Sequence, residues 1–168
     1  MDESLKRFKR EAKMLHKDFE DIEKLDRAIR EIEQNMQNVR GSWNFGNPRI
    51  RRDQNRSDLH FLELMERKNA LIEKKKAFEA HIKWVIDVIM DCPAEYHYFI
   101  FECFVMRKKT DDFLDELYGT ERASNMASIV SRSVSAEITK VLTPERIAEL
   151  DEIREAMTAD CFKQEADQ

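Results

Sequence analysis

Glycine, proline and cysteine each occur only three times in this chain of 168 residues. So few turn formers leave few turns and long elements, which excludes all-β sandwiches and most α/β enzymes. The three cysteines, Cys92, Cys103 and Cys161, are odd in number and widely spaced. That excludes a disulfide framework and points to a reducing, intracellular setting. No long hydrophobic run is present: stretches such as Trp84-Val85-Ile86 fall far short of the roughly 20 residues a membrane span needs. The opening residues MDESLKRFKRE are too charged for a signal peptide, so a soluble, cytoplasmic protein is expected. No glycine-rich phosphate loop exists. Cys92, His97 and Cys103 do not match zinc-knuckle spacing and lack a fourth ligand. Cys103 and Cys161 read as small core residues. His81 and His97 read as boundary residues rather than bases, and no carboxylate pair stands apart as general acid and base. Neither an enzyme nor a metal or cofactor is expected.

What is present is charge, 38% of residues, laid over 42% hydrophobic residues, too many for a disordered chain. The net charge of -5 excludes a uniformly basic nucleic-acid coat but not local recognition of DNA, which follows local patches. Residues 1–56 are net +3, residues 93–143 net -2 and residues 144–168 net -5. Positive charge is concentrated at 40–56, where Arg40, Arg49, Arg51, Arg52 and Arg56 face only Asp53.

Two helical stripes dominate the first half. Leu5, Phe8, Ala12, Leu15, Phe19 and Ile22, then Leu25, Ile29, Ile32, Met36 and Val39, alternate by three and four with one slip at Ile22–Leu25. Asp2, Glu3 and Ser4 suit the start of this helix and Gly41 its end. Phe61, Leu64, Lys68, Leu71, Lys75, Phe78, Ile82, Val85 and Ile89 alternate without a slip, with two lysines whose stems pack while their heads reach water. Ser57 or Asp58 is the expected cap of this second helix, and Cys92-Pro93 its end. Each helix, about 50–55 Å long at 1.5 Å per residue, needs a partner to bury its stripe. The expected arrangement is an antiparallel hairpin, a coiled coil over residues 1–92 folded at 41–57, or a dimer of such hairpins. The tip combines Trp43 and Phe45 with Arg49, Arg51, Arg52 and Arg56. It is either a solvated loop whose arginines meet the acidic tail, or a contact surface for nucleic acid or protein.

Residues 93–168 read as a compact helical unit. Residues 94–106 form a buried helix with Phe99, Cys103 and Met106 in one apolar line, widened by Ile100 and Phe104. Arg107-Lys108-Lys109 makes a basic turn. Thr110 caps a short helix whose apolar side is Phe113, Leu114 and Leu117. Gly119 breaks it, and Thr120 caps a longer helix to about Leu142. That helix buries Ala123, Ala127, Val130, Val134, Ile138 and Val141. Beside them lie Glu121, Ser124, Asn125, Ser128, Ser131, Arg132 and Ser135. Short polar side chains plus an arginine suit either a major-groove contact or a solvated face. A last helix starts at Thr143-Pro144-Glu145, with Ile147, Leu150, Ile153, Met157 and Cys161 as its stripe. The fold class is therefore all-α: a long antiparallel helical hairpin, a small helix-turn-helix bundle and an acidic C-terminal helix.

Over Arg56 to Leu142 the layout resembles the phage late-transcription regulators of the RinA/ArpU type. Trp84 to Met90 is similar to their apolar lead-in, Phe99 to Arg107 to the first helix of their DNA-binding fold, Thr110 to Gly119 to the supporting helix and turn, and Thr120 to Leu142 to the recognition helix. Asp115 departs from the pattern, which places a small residue there. The resemblance implies a transcriptional regulator in a bacterial host cell. Its partners would be duplex DNA, RNA polymerase and a second copy held through the coiled coil. Arg107, Lys108, Lys109, Glu121, Arg122, Ser124, Asn125, Ser128 and Arg132 would be its DNA contacts. Two other readings fit the same residues: a helical module, such as a host-takeover factor or inhibitor, that binds a protein partner and no DNA; and a DNA-packaging recognition subunit.

Overall fold

The computed structural model describes residues 2–41 and 48–159; the side chains of 40–41, 48–57, 120 and 122–125 lie outside that description. Every element among the described residues is helical: α1 (Glu3–Gly41), α2 (Pro48–Asp91), α3 (Ala94–Ile100) running on into a π-helical turn (Phe101–Val105), α4 (Thr110–Tyr118), α5 (Thr120–Val141) and α6 (Pro144–Thr158). None is long and apolar enough to cross a membrane.

Asp2 starts α1 as expected: its carboxylate accepts the Ser4 backbone N–H at 3.2 Å. The start of α2 differs from expectation. It lies at Pro48, ahead of Ser57 and Asp58, because proline at the first helical position gives up only an N–H that has no helical partner. Trp43 and Phe45 of the expected tip lie outside the described residues, while Arg49, Arg51, Arg52 and Arg56 sit on helical backbone.

Helices α1 and α2 run antiparallel, in a register fixed by paired charges. Glu33 meets Lys68 at 3.0 Å and Asp26 meets Lys75 at 2.7 Å, one heptad apart on each helix. The seam lysines therefore do more than snorkel. The hydrogen bond to Asp26 raises the Lys75 pKa above its ordinary value.

The α1 seam itself departs from its apolar reading. Phe19 is 55% exposed, and Asp18 is buried in its stead. Counted through Phe8, Glu11, Leu15, Asp18, Ile22, Leu25, Ile29, Ile32, Met36 and Val39, the three–four alternation has no slip. Leu5, also buried, stands three residues before Phe8, so with the acids counted the slip moves to the first turns of α1.

One core fills the end of the arm opposite the 42–47 connection. Phe8 and Leu15 of α1, Trp84, Val85 and Val88 of α2, Phe99 and Ile100 of α3, Leu114 of α4, Val134 and Ile138 of α5 and Leu150 of α6 are buried together. Helix α6 is capped by Thr143, whose hydroxyl accepts the Arg146 N–H at 3.3 Å, and begins with Pro144. Its lower turn carries Met157 onto Ala77 and Phe78 of α2. Cys161 lies outside the described residues.

The 94–106 segment departs from one buried line. After Ile100 the backbone bonds switch to a wider repeat, with the Met106 N–H on the Phe101 carbonyl at 3.0 Å. Phe101, two residues after the buried Phe99, faces outward in either repeat; the wider turn keeps Cys103 buried and carries Met106 out of the apolar line. Leu117 is likewise exposed, leaving Phe113 and Leu114 as the buried side of α4. Neither expected threonine cap forms. Lys109 and Gly119 hold the cap positions, without side-chain caps, and Thr110 and Thr120 are the first helical residues.

Gly119 is the whole link between α4 and α5, at φ 83 and ψ 156. That backbone region is essentially reserved to glycine. A Cβ built there meets nothing within 4 Å, so any penalty is one of backbone strain alone. Gly119→Ala is expected to destabilise the fold by about 1–3 kcal/mol, read as a lower urea midpoint with unchanged helix content before the transition. An unchanged midpoint would show that this link tolerates another backbone conformation.

Candidate functional site

Helix α5 is held from one side and open on the other. Val134 and Ile138 anchor it in the core, and α4 packs along it. On the open side Ser128 and Arg132 are exposed one turn apart, next to Ile129, which is 64% exposed. Glu121 is exposed about two turns before Ser128. Ser131 and Ser135 are half-buried, so the serine-rich face splits in two. Arg122, Ser124 and Asn125 lie on the first turns of α5, with side chains outside the description. Asp115, which departs from the family pattern, is exposed and accepts the Gly119 N–H through its carbonyl at 2.9 Å.

The basic turn is built into the scaffold. Arg107 adopts a left-handed backbone, φ 61, unusual for a residue with a side chain. Its guanidinium donates to the Lys13 carbonyl on α1 at 3.0 Å. Lys108 pairs with Glu116 of α4, and that hydrogen bond raises its pKa above the ordinary value. Lys109 is exposed at the start of α4. Of the three, Lys109 alone makes no ion pair or side-chain hydrogen bond with the described residues.

The largest polar feature is one that sequence reasoning missed. His81 is fully buried rather than at a boundary, and it bridges two buried carboxylates of α1. Its Nδ1 contacts Asp18, and its Nε2 lies 2.6 Å from Glu11. Carboxylates accept, so both ring nitrogens donate and the ring is an imidazolium. Arg154 of α6 also pairs with Glu11 and places Nη2 3.0 Å from the Met14 sulfur. Two anions and two cations thus close a neutral cluster that ties α1, α2 and α6 together. Arg7–Asp151, Arg146–Asp91 and the Trp84 indole N–H on the Arg146 carbonyl at 3.0 Å extend that attachment. His81 and Asp18 are sealed from solvent, and Arg154 forms the partly exposed edge of the cluster.

No group of three metal-ligating side chains is placed for a metal ion among the described residues. Cys92 and Cys103 are buried free thiols whose pKa values burial raises, as befits small core residues. His97 donates to the Cys92 carbonyl at 2.7 Å. An apolar groove of about 630 Å³ lies between α1, α2 and the π-helical turn, lined by Phe19, Ile86, Phe101, Val105 and Met106. Comparison with family models, curated proteins and solved structures finds no match.

The cluster sets the pH dependence. Burial alone pulls the His81 pKa down, but its bonds to Asp18 and Glu11 outweigh that and hold it above the ordinary 6.5. Burial alone pushes the Glu11 carboxyl up, but the bonds from His81 and Arg154 hold it below the ordinary 4.5. A raised histidine stabilises fully below the unfolded pKa and loses its contribution as pH rises through the folded value. A lowered carboxylate stabilises above its unfolded pKa and loses its contribution as pH falls through the folded value. Stability from these two groups is therefore greatest between about pH 4.5 and 6.5 and falls on both sides. His81→Gln is expected to cost about 3–5 kcal/mol at pH 6, since it leaves buried carboxylates short of a cation. It should also flatten the alkaline limb of a plot of urea midpoint against pH. An alkaline limb identical to that of the unaltered protein would place the titrating group elsewhere.

Proposed function

We propose that the protein reads duplex DNA through α5, as a transcriptional regulator of the kind it resembles, with α1, α2 and α6 as its scaffold. The observation that carries this reading is the exposure of Ser128 and Arg132 on a 22-residue helix anchored on its far side and braced by a shorter helix across a one-residue glycine link. A recognition helix must be rigid against its own domain and open along one face, and its base contacts come from arginine and short polar side chains. The arm gives such a reader a place to pair with a second copy, and paired readers recognise repeated half-sites. A packaging recognition subunit would use α5 in the same way. A protein-interaction module without DNA binding is the second reading, favoured by the groove whose Phe19 and Phe101 stand 55% and 45% exposed.

Selection from a random duplex pool separates these readings. An enriched motif is expected, and Arg132→Ala should weaken binding to it by about 5- to 100-fold while relaxing preference at one base position. The exposed position makes the change in folding stability small, within about 0.5 kcal/mol. Failure to enrich any motif, or enrichment indifferent to Arg132, would overturn DNA reading by α5 and favour the protein-partner reading.

A further inference from the structure

Between residues 6 and 17 six lysines and arginines stand against one carboxylate, Glu11, and that carboxylate is buried in the cluster with His81. Lys6, Arg10, Lys13 and Lys17 recur by four, three and four, with Lys9 and His16 beside them, so they share the outer face of α1. The inner face carries Leu5, Phe8, Ala12 and Leu15. From Lys6 to Lys17 the stripe is about 17 Å long at 1.5 Å per residue.

Elsewhere the lysines are neutralised locally: Lys24 by Asp21, Lys68 by Glu33, Lys75 by Asp26, Lys76 by Glu73, Lys83 by Asp87, Lys108 by Glu116 and Lys140 by Glu137. Lys9, Lys13 and Lys17 make no ion pair with the described residues; nor do Lys109 in the basic turn and Lys74, beside the paired Lys75 and Lys76 on α2. Lys6 and Arg10 share only the distant Glu3, at 3.6 and 3.9 Å. The Lys9 ammonium lies 5.0 Å over the Phe104 ring, and burial together with the Lys13 charge lowers its pKa. Arg107 takes up its left-handed backbone to donate into the Lys13 carbonyl, which brings a further positive charge to the stripe. In a chain of net charge -5, unneutralised positive charge has collected on one face.

We propose that this face of α1, extended by Arg107, is the surface that grips the phosphate backbone of duplex DNA. The proposal rests on the DNA-binding reading above and assigns its sequence-independent part. DNA affinity draws heavily on phosphate neutralisation, and the 93–143 segment, at net -2, lacks the charge to supply it. Lysines are point charges suited to phosphate oxygens. Between residues 6 and 17 no large hydrophobic side chain is exposed to centre a protein–protein contact; the exposed Phe19, Phe101 and Met106 begin only where Lys17 and Arg107 border the apolar groove.

The test uses the full chain, with affinity followed against salt for an enriched duplex and for a scrambled duplex. Lys9→Gln/Lys13→Gln/Lys17→Gln should weaken both complexes about tenfold or more and reduce the slope of log affinity against log salt by about 3, with the preference between the two duplexes retained. Lys13→Gln/Lys17→Gln, which removes only exposed, unpaired side chains, should reduce the slope by about 2 and guards against a folding defect at Lys9. Unchanged slopes beside intact selectivity would overturn the stripe and leave DNA reading by α5 standing. Salt-dependent binding without any preferred sequence, lost in the triple variant, would support the stripe and overturn sequence reading. Binding of anionic lipid vesicles or polyglutamate, with none of duplex DNA, would overturn both.

Discussion

The fold depends on a buried imidazolium. His81 sits between Glu11 and Asp18, and Arg154 balances the remaining charge on Glu11. A long antiparallel helix pair has many near-equivalent registers, because apolar seams slide by heptads at modest cost. A buried ion is different: displaced from its partners it stays desolvated and uncompensated. The cluster therefore fixes one register of α1 on α2 and one position of α6 across both. Pairs Asp26–Lys75 and Glu33–Lys68 repeat that register at the surface further along the arm. The cluster's stabilising role is confined to a pH range, since it needs histidine protonated and glutamate ionised together.

What this register positions is a segregation of charge. Fixing α1 turns Glu11 and Asp18 inward and leaves the lysines of residues 6–17 outward. The same register puts the Lys13 carbonyl within reach of Arg107, and so ties the basic turn before α4 to α1. Lys108–Glu116 carries the tie onto α4, and Gly119 carries it directly into α5. The face proposed to read bases and the face proposed to hold phosphates thus belong to one connected scaffold. The exposed groove beside Phe19 arises from the same geometry, because placing Asp18 in the seam forces Phe19 out of it.

The all-α class and the limits of several helices were legible in the sequence. Scarce glycine and proline announced long helices, the three–four spacing announced seams, and Asp2, Thr143 and Pro144 announced helix starts. The misses share a physical origin. Reading only apolar residues into the seam hid Glu11 and Asp18, whose burial depends on a histidine some sixty residues away. An unbroken alternation through those two acids was the signal that could have found them. The fold of the hairpin at 41–57 was drawn too wide, because Pro48, a turn former by composition, is also a good first residue of a helix. Met106 was misplaced because a π-helical turn has no mark in residue spacing. The α1 stripe stayed hidden because the charge of residues 1–56 was taken as one sum, in which the acids that follow Lys17 cancel most of the excess of residues 6–17.

The central claim is that α5 lies against duplex DNA. A photocrosslinking residue placed at Ser128 and, separately, at the exposed Leu62 of α2 in the full chain tests it most directly, with an enriched, end-labelled duplex as the target. Crosslinking to the duplex from position 128 and none from position 62 is the expected result. Crosslinking from position 62 alone, or from neither position, would contradict the account.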